Sequence, residues 1–385
     1  MKYNEPQEVM KTGLYPYFHA LETAQDTEVM MEGRRTIMLG SNNYLGLTND
    51  PRTIKAAHEA LDRYGTGCSG SRFLNGTLKL HLELEEELAE FFHKDGVITF
   101  STGFQSNLGI ISAIATRQTT ILNDSENHAS ILDACRLSFA KNVYKYEHNN
   151  MESLEDKISR LPIDSPKLII TDGVFSMSGD IANLPEIVRI KNKYNARLMV
   201  DDAHGVGMIG NGGRGTASYF DLENEVDIIM TTFSKSFASL GGCVAAREDV
   251  INYIKHNSRP FIFSASIPPA NAASALCALR ILKESPERVD DLMNIAEYMR
   301  GKLREINLPI IEGSTAIIPI ITYDLKRTLT IAKRLLEEGV YVNPVLPPAV
   351  PSDMCLLRTS YTATHTMEQM DHAAKIFDRV FKEIG

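Results

Sequence analysis

The 385-residue chain reads as an α/β protein built around a mainly parallel sheet, with a smaller α+β region towards its C-terminal end. Three observations predict this. Short, almost wholly apolar runs recur through the middle of the chain. Amphipathic segments of helical spacing separate them, and the texture changes after Pro268-Pro269.

The apolar runs are Val97-Ile98-Thr99-Phe100, Thr120-Ile121-Leu122, Lys167-Leu168-Ile169-Ile170-Thr171, Arg197-Leu198-Met199-Val200 and Asp227-Ile228-Ile229-Met230. Near-continuous apolar character is what a strand needs when helices cover both faces of its sheet. Leu108 to Ala115, Ile131 to Leu137 and Leu184 to Tyr194 supply the intervening helices, so the order is βαβα. Beyond Pro269 the pattern predicts helices over Asn271–Glu284 and Arg288–Ile306, then a strand over Ala316–Ile321. A helix follows over Leu325–Glu338, with strands near Val340–Asn343 and Met354–Thr359 and a closing amphipathic helix from Met367 to Ile384. The expected division is an N-terminal segment over 1–45, a large α/β domain over 46–275 and a small α+β domain over 276–385. No tandem repeat or low-complexity linker interrupts it.

Composition narrows the function classes. Hydrophobic content of 43% and charged content of 23% are those of an ordinary globular protein. A net charge of -9 argues against nucleic acid as a partner. The N-terminal Met1-Lys2-Tyr3-Asn4-Glu5-Pro6-Gln7 lacks the apolar core of a secretory signal, and no apolar run approaches the ~20 residues of a membrane span. Five scattered cysteines without a C-x-x-C pair read as reduced thiols, with neither a disulfide frame nor a metal site. The expectation is a cytoplasmic enzyme.

Candidate chemistry collects at strand ends, where ligands of open α/β sheets sit. Lys235 lies in Thr231-Thr232-Phe233-Ser234-Lys235-Ser236-Phe237, directly after an apolar run. The hydroxyls of Thr232 and Ser234 suit a phosphate, and a partly desolvated amine forms an imine with an aldehyde. Together these suit pyridoxal phosphate (PLP). In Val200-Asp201-Asp202-Ala203-His204, Asp201 is placed to pair with a protonated ring nitrogen and His204 to reach the phenolic oxygen; a solvated strand-end turn explains the same residues. Ser101-Thr102-Gly103-Phe104-Gln105-Ser106-Asn107 offers helix-start amides to an anion, or simply an N-cap. His128, in Asn127-His128-Ala129-Ser130, is placed to lie against an aromatic cofactor and bond a carboxylate, and equally to cap a helix or fill a core. Ser176, in Val174-Phe175-Ser176-Met177-Ser178-Gly179-Asp180, is ambiguous alone.

One motif misleads. Gly205-Val206-Gly207-Met208-Ile209-Gly210 spells G-x-G-x-x-G after a strand, the dinucleotide fingerprint. Gly212, Gly213 and Gly215 follow at once, so no helix opens there, and Asp227 begins a strand where the fingerprint wants an acid at a strand's end. A nicotinamide site is set aside.

In this order along the chain, the clusters resemble the α-oxoamine synthases, PLP-dependent enzymes of the aspartate-aminotransferase fold type I. Ser41-Asn42-Asn43-Tyr44-Leu45-Gly46-Leu47, Gly70-Ser71-Arg72-Phe73-Leu74-Asn75-Gly76-Thr77 and Leu357-Arg358-Thr359-Ser360 before Thr364-His365-Thr366 carry the likeness over nearly the whole length. Within that family the chain is most similar to bacterial members that join L-serine to a long-chain acyl-CoA such as palmitoyl-CoA, the first step of sphingolipid biosynthesis. Some of these carry arginine directly before Pro347-Pro348-Ala349, where this chain has Leu346. Lys235 would hold PLP and act as the base at Cα, Asp201 would keep the ring nitrogen protonated, and His128 would stack on the ring. Gly103, Phe104, Ser176, His204, Thr232 and Ser234 would position the cofactor, and Ser264 would reach a neighbouring subunit's phosphate across a homodimer interface. Arg358, Asn42 and Ser71 would face the substrates. Bland roles compete for the weakest of these: a surface hydroxyl for Ser264, a turn for Asn42 and a cap for Ser71. The resemblance also leaves open a peripheral membrane contact. It leaves room for 8-amino-7-oxononanoate synthase or 2-amino-3-oxobutyrate CoA ligase chemistry, or for a silent partner subunit. Lys235 speaks against the last.

Overall fold

A computed structural model describes residues 5–385, and the chain divides into two compact units. Of the described residues the larger comprises 50–176 and 180–289, the smaller 5–49, 177–179 and 290–385. These boundaries differ from the expected 45/46 and 275/276. The helix Pro269–Glu284 packs against the helices Pro51–Tyr64 and Lys79–Phe91, so all of it stays with the larger unit.

A seven-stranded sheet forms the larger unit's centre, in the order 96–100, 242–246, 228–232, 197–201, 167–172, 120–124 and 142–146. All neighbours are parallel except Gly242–Ala246, which runs antiparallel to both of its partners. Thr120–Asp124, Lys167–Asp172, Ile228–Thr232 and Gly242–Ala246 are buried at every residue, as covering on both faces requires. One face meets a core of Ile110, Ile111, Ile131, Ile251 and Ile254 from helices, against Ile98, Ile121, Leu168, Ile170, Met199 and Val244 from strands.

Two of these strands escaped the sequence reading. Gly242–Ala246 has small side chains, and Asn142–Tyr146 is an edge strand whose Val143, Tyr144 and Lys145 are exposed. The helix expected from Leu108 begins instead at Gly103, because Thr102 caps it by accepting from the Gln105 amide at 3.1 Å.

In the loop after Asp201 no α-helix opens at Gly205–Gly210, as expected. Its glycines curl around the Asp202 carboxylate, which accepts from the Thr216 amide and hydroxyl at 2.6 Å each. A Cβ at Gly205 would lie 1.9 Å from Asp202 Oδ1 and one at Gly215 2.1 Å from Oδ2, so these glycines make room for a buried carboxylate.

The smaller unit holds two three-stranded sheets. One orders Ile317–Tyr323, Cys355–Ser360 and Asn343–Val345, all antiparallel; the other joins Glu28–Met31, Arg34–Met38 and Val340–Tyr341. The helix Leu325–Glu337 packs on this unit's strands, and Met367–Ile384 packs against that helix. Among the described residues no helix is long and apolar enough to cross a membrane.

Candidate active site

Strand register assembles the site. Asp172 pairs with Asp201, and Asp201 with Met230, so three strand ends stand side by side at the carboxyl edge of the sheet. A cleft of about 220 Å³ opens there, walled by Thr102, Gly103, Phe104, Asn107, His128, Ser130, Asp172, Val174, Asp201, Ala203, His204, Met230, Thr232, Ser234 and Lys235. Eight residues singled out from sequence therefore converge: Gly103, Phe104, His128, Asp201, His204, Thr232, Ser234 and Lys235.

Lys235 is presented by a pinned turn. Phe233 and Phe237 are buried, with their rings edge to face at 5.8 Å. Phe233 N donates to Gly241 O at 2.9 Å, Ser239 N to Phe233 O at 2.8 Å, and Ser236 Oγ to Val206 O at 2.8 Å. Two apolar anchors and three hydrogen bonds hold the turn, leaving Lys235 half-buried at the cleft wall.

Opposite, the first turn of Gly103–Ile114 comes against the end of Ile228–Thr232. A Cβ on Gly103 would sit 2.8 Å from both Cβ and Oγ1 of Thr232, so only glycine permits this approach. The amides of a helix's first turn have no intrahelical partner and attract anions. Thr232 Oγ1 and Ser234 Oγ, 2.9 Å apart, stand beside them. Amides and hydroxyls on one wall make a cradle of the kind a phosphate needs.

Asp201 is 5% exposed, and both its oxygens are engaged: Oδ1 accepts from Ala203 N at 3.1 Å and Oδ2 from Asn107 Nδ2 at 2.6 Å. Its neighbour Asp172 is also buried. Burial first, then the charge of Asp201, push the Asp172 carboxyl well above the usual carboxylate range. His128 is both a cleft wall and a helix cap, its Nδ1 accepting from Ser130 N at 3.3 Å, so the two readings of this histidine were compatible. Its backbone is fixed by Asn127, which bonds Asn123 Oδ1 and Ile170 O at 2.8 Å each, and by its own amide donating to Asp172 Oδ2 at 3.2 Å. Burial lowers the His128 pKa, the Lys235 charge adds to this, and Asp201 opposes it.

The remaining predicted residues are elsewhere. Ser176 is half-buried in the turn after Phe175 and does not line the cleft. Ser264 accepts from Gln105 Nε2 at 3.3 Å, beside the cradle helix but outside the cleft wall. The buried Ser71 hydroxyl finds no hydrogen-bond partner among the described residues. In the smaller unit, Arg358 is buried, and its Nη2 donates to Asn42 Oδ1 at 3.1 Å and Tyr44 Oη at 3.2 Å, so two expected substrate residues meet there. Asn107, Ser130 and Asp172 were missed as site residues. Thr171-Asp172 ends a buried strand just as Val200-Asp201 does, which was the available signal.

A cleft offering an amine, a buried carboxylate, an imidazole wall and an anion cradle fits the aldehyde, ring nitrogen, ring face and phosphate of PLP. Comparison with known proteins agrees. Residues 34–377 match the aminotransferase class I and II family. A serine palmitoyltransferase of Sphingobacterium spiritivorum is 53% identical over 99% of this chain and 95% of its own. An 8-amino-7-oxononanoate synthase of Thermosipho melanesiensis is 42% identical over 99% of this chain and 97% of its own. A serine palmitoyltransferase solved at high resolution with PLP superposes with a TM-score of 0.96 at 37% identity, covering 99% of this chain and 96% of that one. By sequence over almost its full length, and by the strand-end cleft its fold builds, the chain belongs to the aminotransferase class I and II family.

Proposed function

We propose that this chain is a PLP-dependent serine palmitoyltransferase. It condenses L-serine with a long-chain acyl-CoA, palmitoyl-CoA in the first instance, releasing CoA and carbon dioxide and forming 3-ketosphinganine. The observation that carries this reading is the single cleft that joins Lys235, Asp201, His128 and the Gly103–Thr232 cradle. The 53% identity to a serine palmitoyltransferase, against 42% to an 8-amino-7-oxononanoate synthase, favours serine over alanine as the amino acid.

When bound, PLP is an electron sink for the electrons released at the amino acid's Cα. Lys235 supplies the amine that holds the cofactor and then takes the Cα proton, as a base within hydrogen-bond reach must. Asp201, fixed through both oxygens, keeps a proton on the ring nitrogen. Amides at Gly103 and Phe104 and the hydroxyls of Thr232 and Ser234 hold the phosphate. His128 forms an aromatic wall and donates to the serine carboxylate, and His204 serves the phenolic oxygen. Arg358, steered by Asn42 and Tyr44, pairs with the carboxylate; its fork of donors suits that task. Ser71 faces the substrates, Ser176 supports the cofactor, and Ser264 serves the phosphate of a second subunit in a homodimer. The enzyme works in the cytoplasm.

The test is CoA release with a matrix of donors. Serine with palmitoyl-CoA should turn over and yield 3-ketosphinganine by mass spectrometry, with alanine and pimeloyl-CoA far slower. The reverse order would replace this reading with the oxononanoate one.

A further inference from the structure

We propose that Asn107 and Ser130 are positioning residues that fix His128 in one tautomer, with its ring hydrogen on Nε2. The inference rests on the proposed role of His128, and four contacts carry it. Asn107 donates from Nδ2 to Asp201 Oδ2 at 2.6 Å and to Ser130 Oγ at 2.9 Å. A carboxylate oxygen accepts, so the side of Asn107 facing it must be the NH₂; turning the amide over would set oxygen against oxygen. The Ser130 oxygen accepts from Asn107 and keeps its own hydrogen to offer His128 Nδ1, 2.7 Å away. The Ser130 backbone amide, which can only donate, also points at Nδ1, from 3.3 Å. Two donors converge on one ring nitrogen, so its lone pair faces them and the hydrogen belongs on Nε2.

Nothing in the set has freedom to reverse. Asp201 Oδ1 is held by Ala203 N at 3.1 Å, and the His128 backbone by Asp172 at 3.2 Å. Asn107 and Ser130 are each about 1% exposed, so water does not compete for these bonds. The charged and titratable groups facing His128 are Asp201, Lys235 and Asp172. Asp201 alone would draw a second proton onto the ring. The relay opposes it, because an imidazolium carries hydrogen on both nitrogens and would set an Nδ1–H against two donors. For the reaction this matters in one way: Nε2–H becomes the ring's single donor, the group a substrate carboxylate requires.

The experiment uses the full chain labelled with ¹⁵N-histidine and two-bond ¹H–¹⁵N spectra, with His128→Gln to assign the signal. No substrate is added, so failure here leaves the proposed reaction untouched, and loss of that reaction would not alter the tautomer. Wild-type protein should show protonated Nε2 and bare Nδ1 wherever the ring is neutral. Ser130→Ala and Asn107→Ala should give a tautomer mixture and move ring protonation up by roughly half to one pH unit, the equivalent of one hydrogen bond. Ser130→Thr, which keeps the hydroxyl, should restore the wild-type spectrum. In turnover, Ser130→Ala should raise the KM for serine about fivefold, with PLP affinity within about twofold of wild type. A wild-type Nδ1 that carries hydrogen would overturn the inference, as would a Ser130→Ala spectrum identical to wild type.

Discussion

Gly103→Ala tests the cradle most sharply, because two effects of opposite sign act on it. Alanine is the better helix former, by about 1 kcal/mol in a helix interior and less in a first turn. Propensity alone would stabilise the variant. Against it, the new Cβ falls 2.8 Å from Thr232 Cβ and Oγ1, and about 0.6 Å of movement is needed to reach ordinary contact. Crowding of that kind costs about 1–3 kcal/mol, so the clash wins. The same movement takes the first-turn amides away from Thr232 and Ser234. A phosphate bond of about 2.9 Å lengthens to about 3.5 Å, beyond useful range. Losing one charge-assisted bond costs about 1.5–3 kcal/mol, which is roughly ten- to hundredfold in PLP affinity. PLP titration followed by visible absorption, with a thermal melt of PLP-free protein, reads both effects. Affinity within about twofold of wild type together with a raised melting temperature would refute the reasoning.

The other predictions address chemistry and stability. Asp201→Ala should keep PLP bound yet stop exchange of the serine Cα hydrogen with solvent; undiminished exchange by NMR would remove Asp201 from its role. Arg72→Ala breaks the ion pair with Glu85, whose side chains are each 6% exposed at 2.7 Å, and leaves Glu85 buried without its counter-charge. A loss of about 3–5 kcal/mol is expected in urea unfolding, and less than about 1 kcal/mol would contradict it. His148 bridges Asp124 and Asp180 at 3.1 Å each. Burial alone would lower its pKa, but the bonds to these two carboxylates outweigh that and raise it to about 10. Folding therefore binds this proton more tightly than the unfolded chain does. The stabilisation is complete below about pH 6.5 and fades as pH climbs through about 10. The stability gap between wild type and His148→Gln should accordingly narrow from pH 6.5 to 10, and a constant gap would reject the assignment.

The fold class was legible because buried parallel strands must be apolar on both faces, as Lys167-Leu168-Ile169-Ile170-Thr171 is. Asn142–Tyr146 and Gly242–Ala246 were not, one because its outer face meets solvent and the other because its side chains are too small to make a signal. At the site, Lys235, Asp201 and His128 stood out because their chemistry is tied to residue type and to a strand-end position. Asn107, Ser130 and Asp172 act through neighbours. Asp172 matters because register sets it beside Asp201, and Asn107 because its helix packs over that same edge. A one-dimensional pattern does not encode such adjacency. Gly103 shows the opposite case: the sequence marks a glycine, and only the 2.8 Å approach to Thr232 explains it.

The proposed chemistry depends on the Lys235 amine being the one that holds PLP. Borohydride reduction of the purified holoprotein, followed by peptide mass spectrometry, reads this directly. A phosphopyridoxyl group is expected on the peptide containing Ser234-Lys235-Ser236, and none on Lys235→Ala. A label on a different lysine, or no label on protein that turns over its substrates, would contradict it.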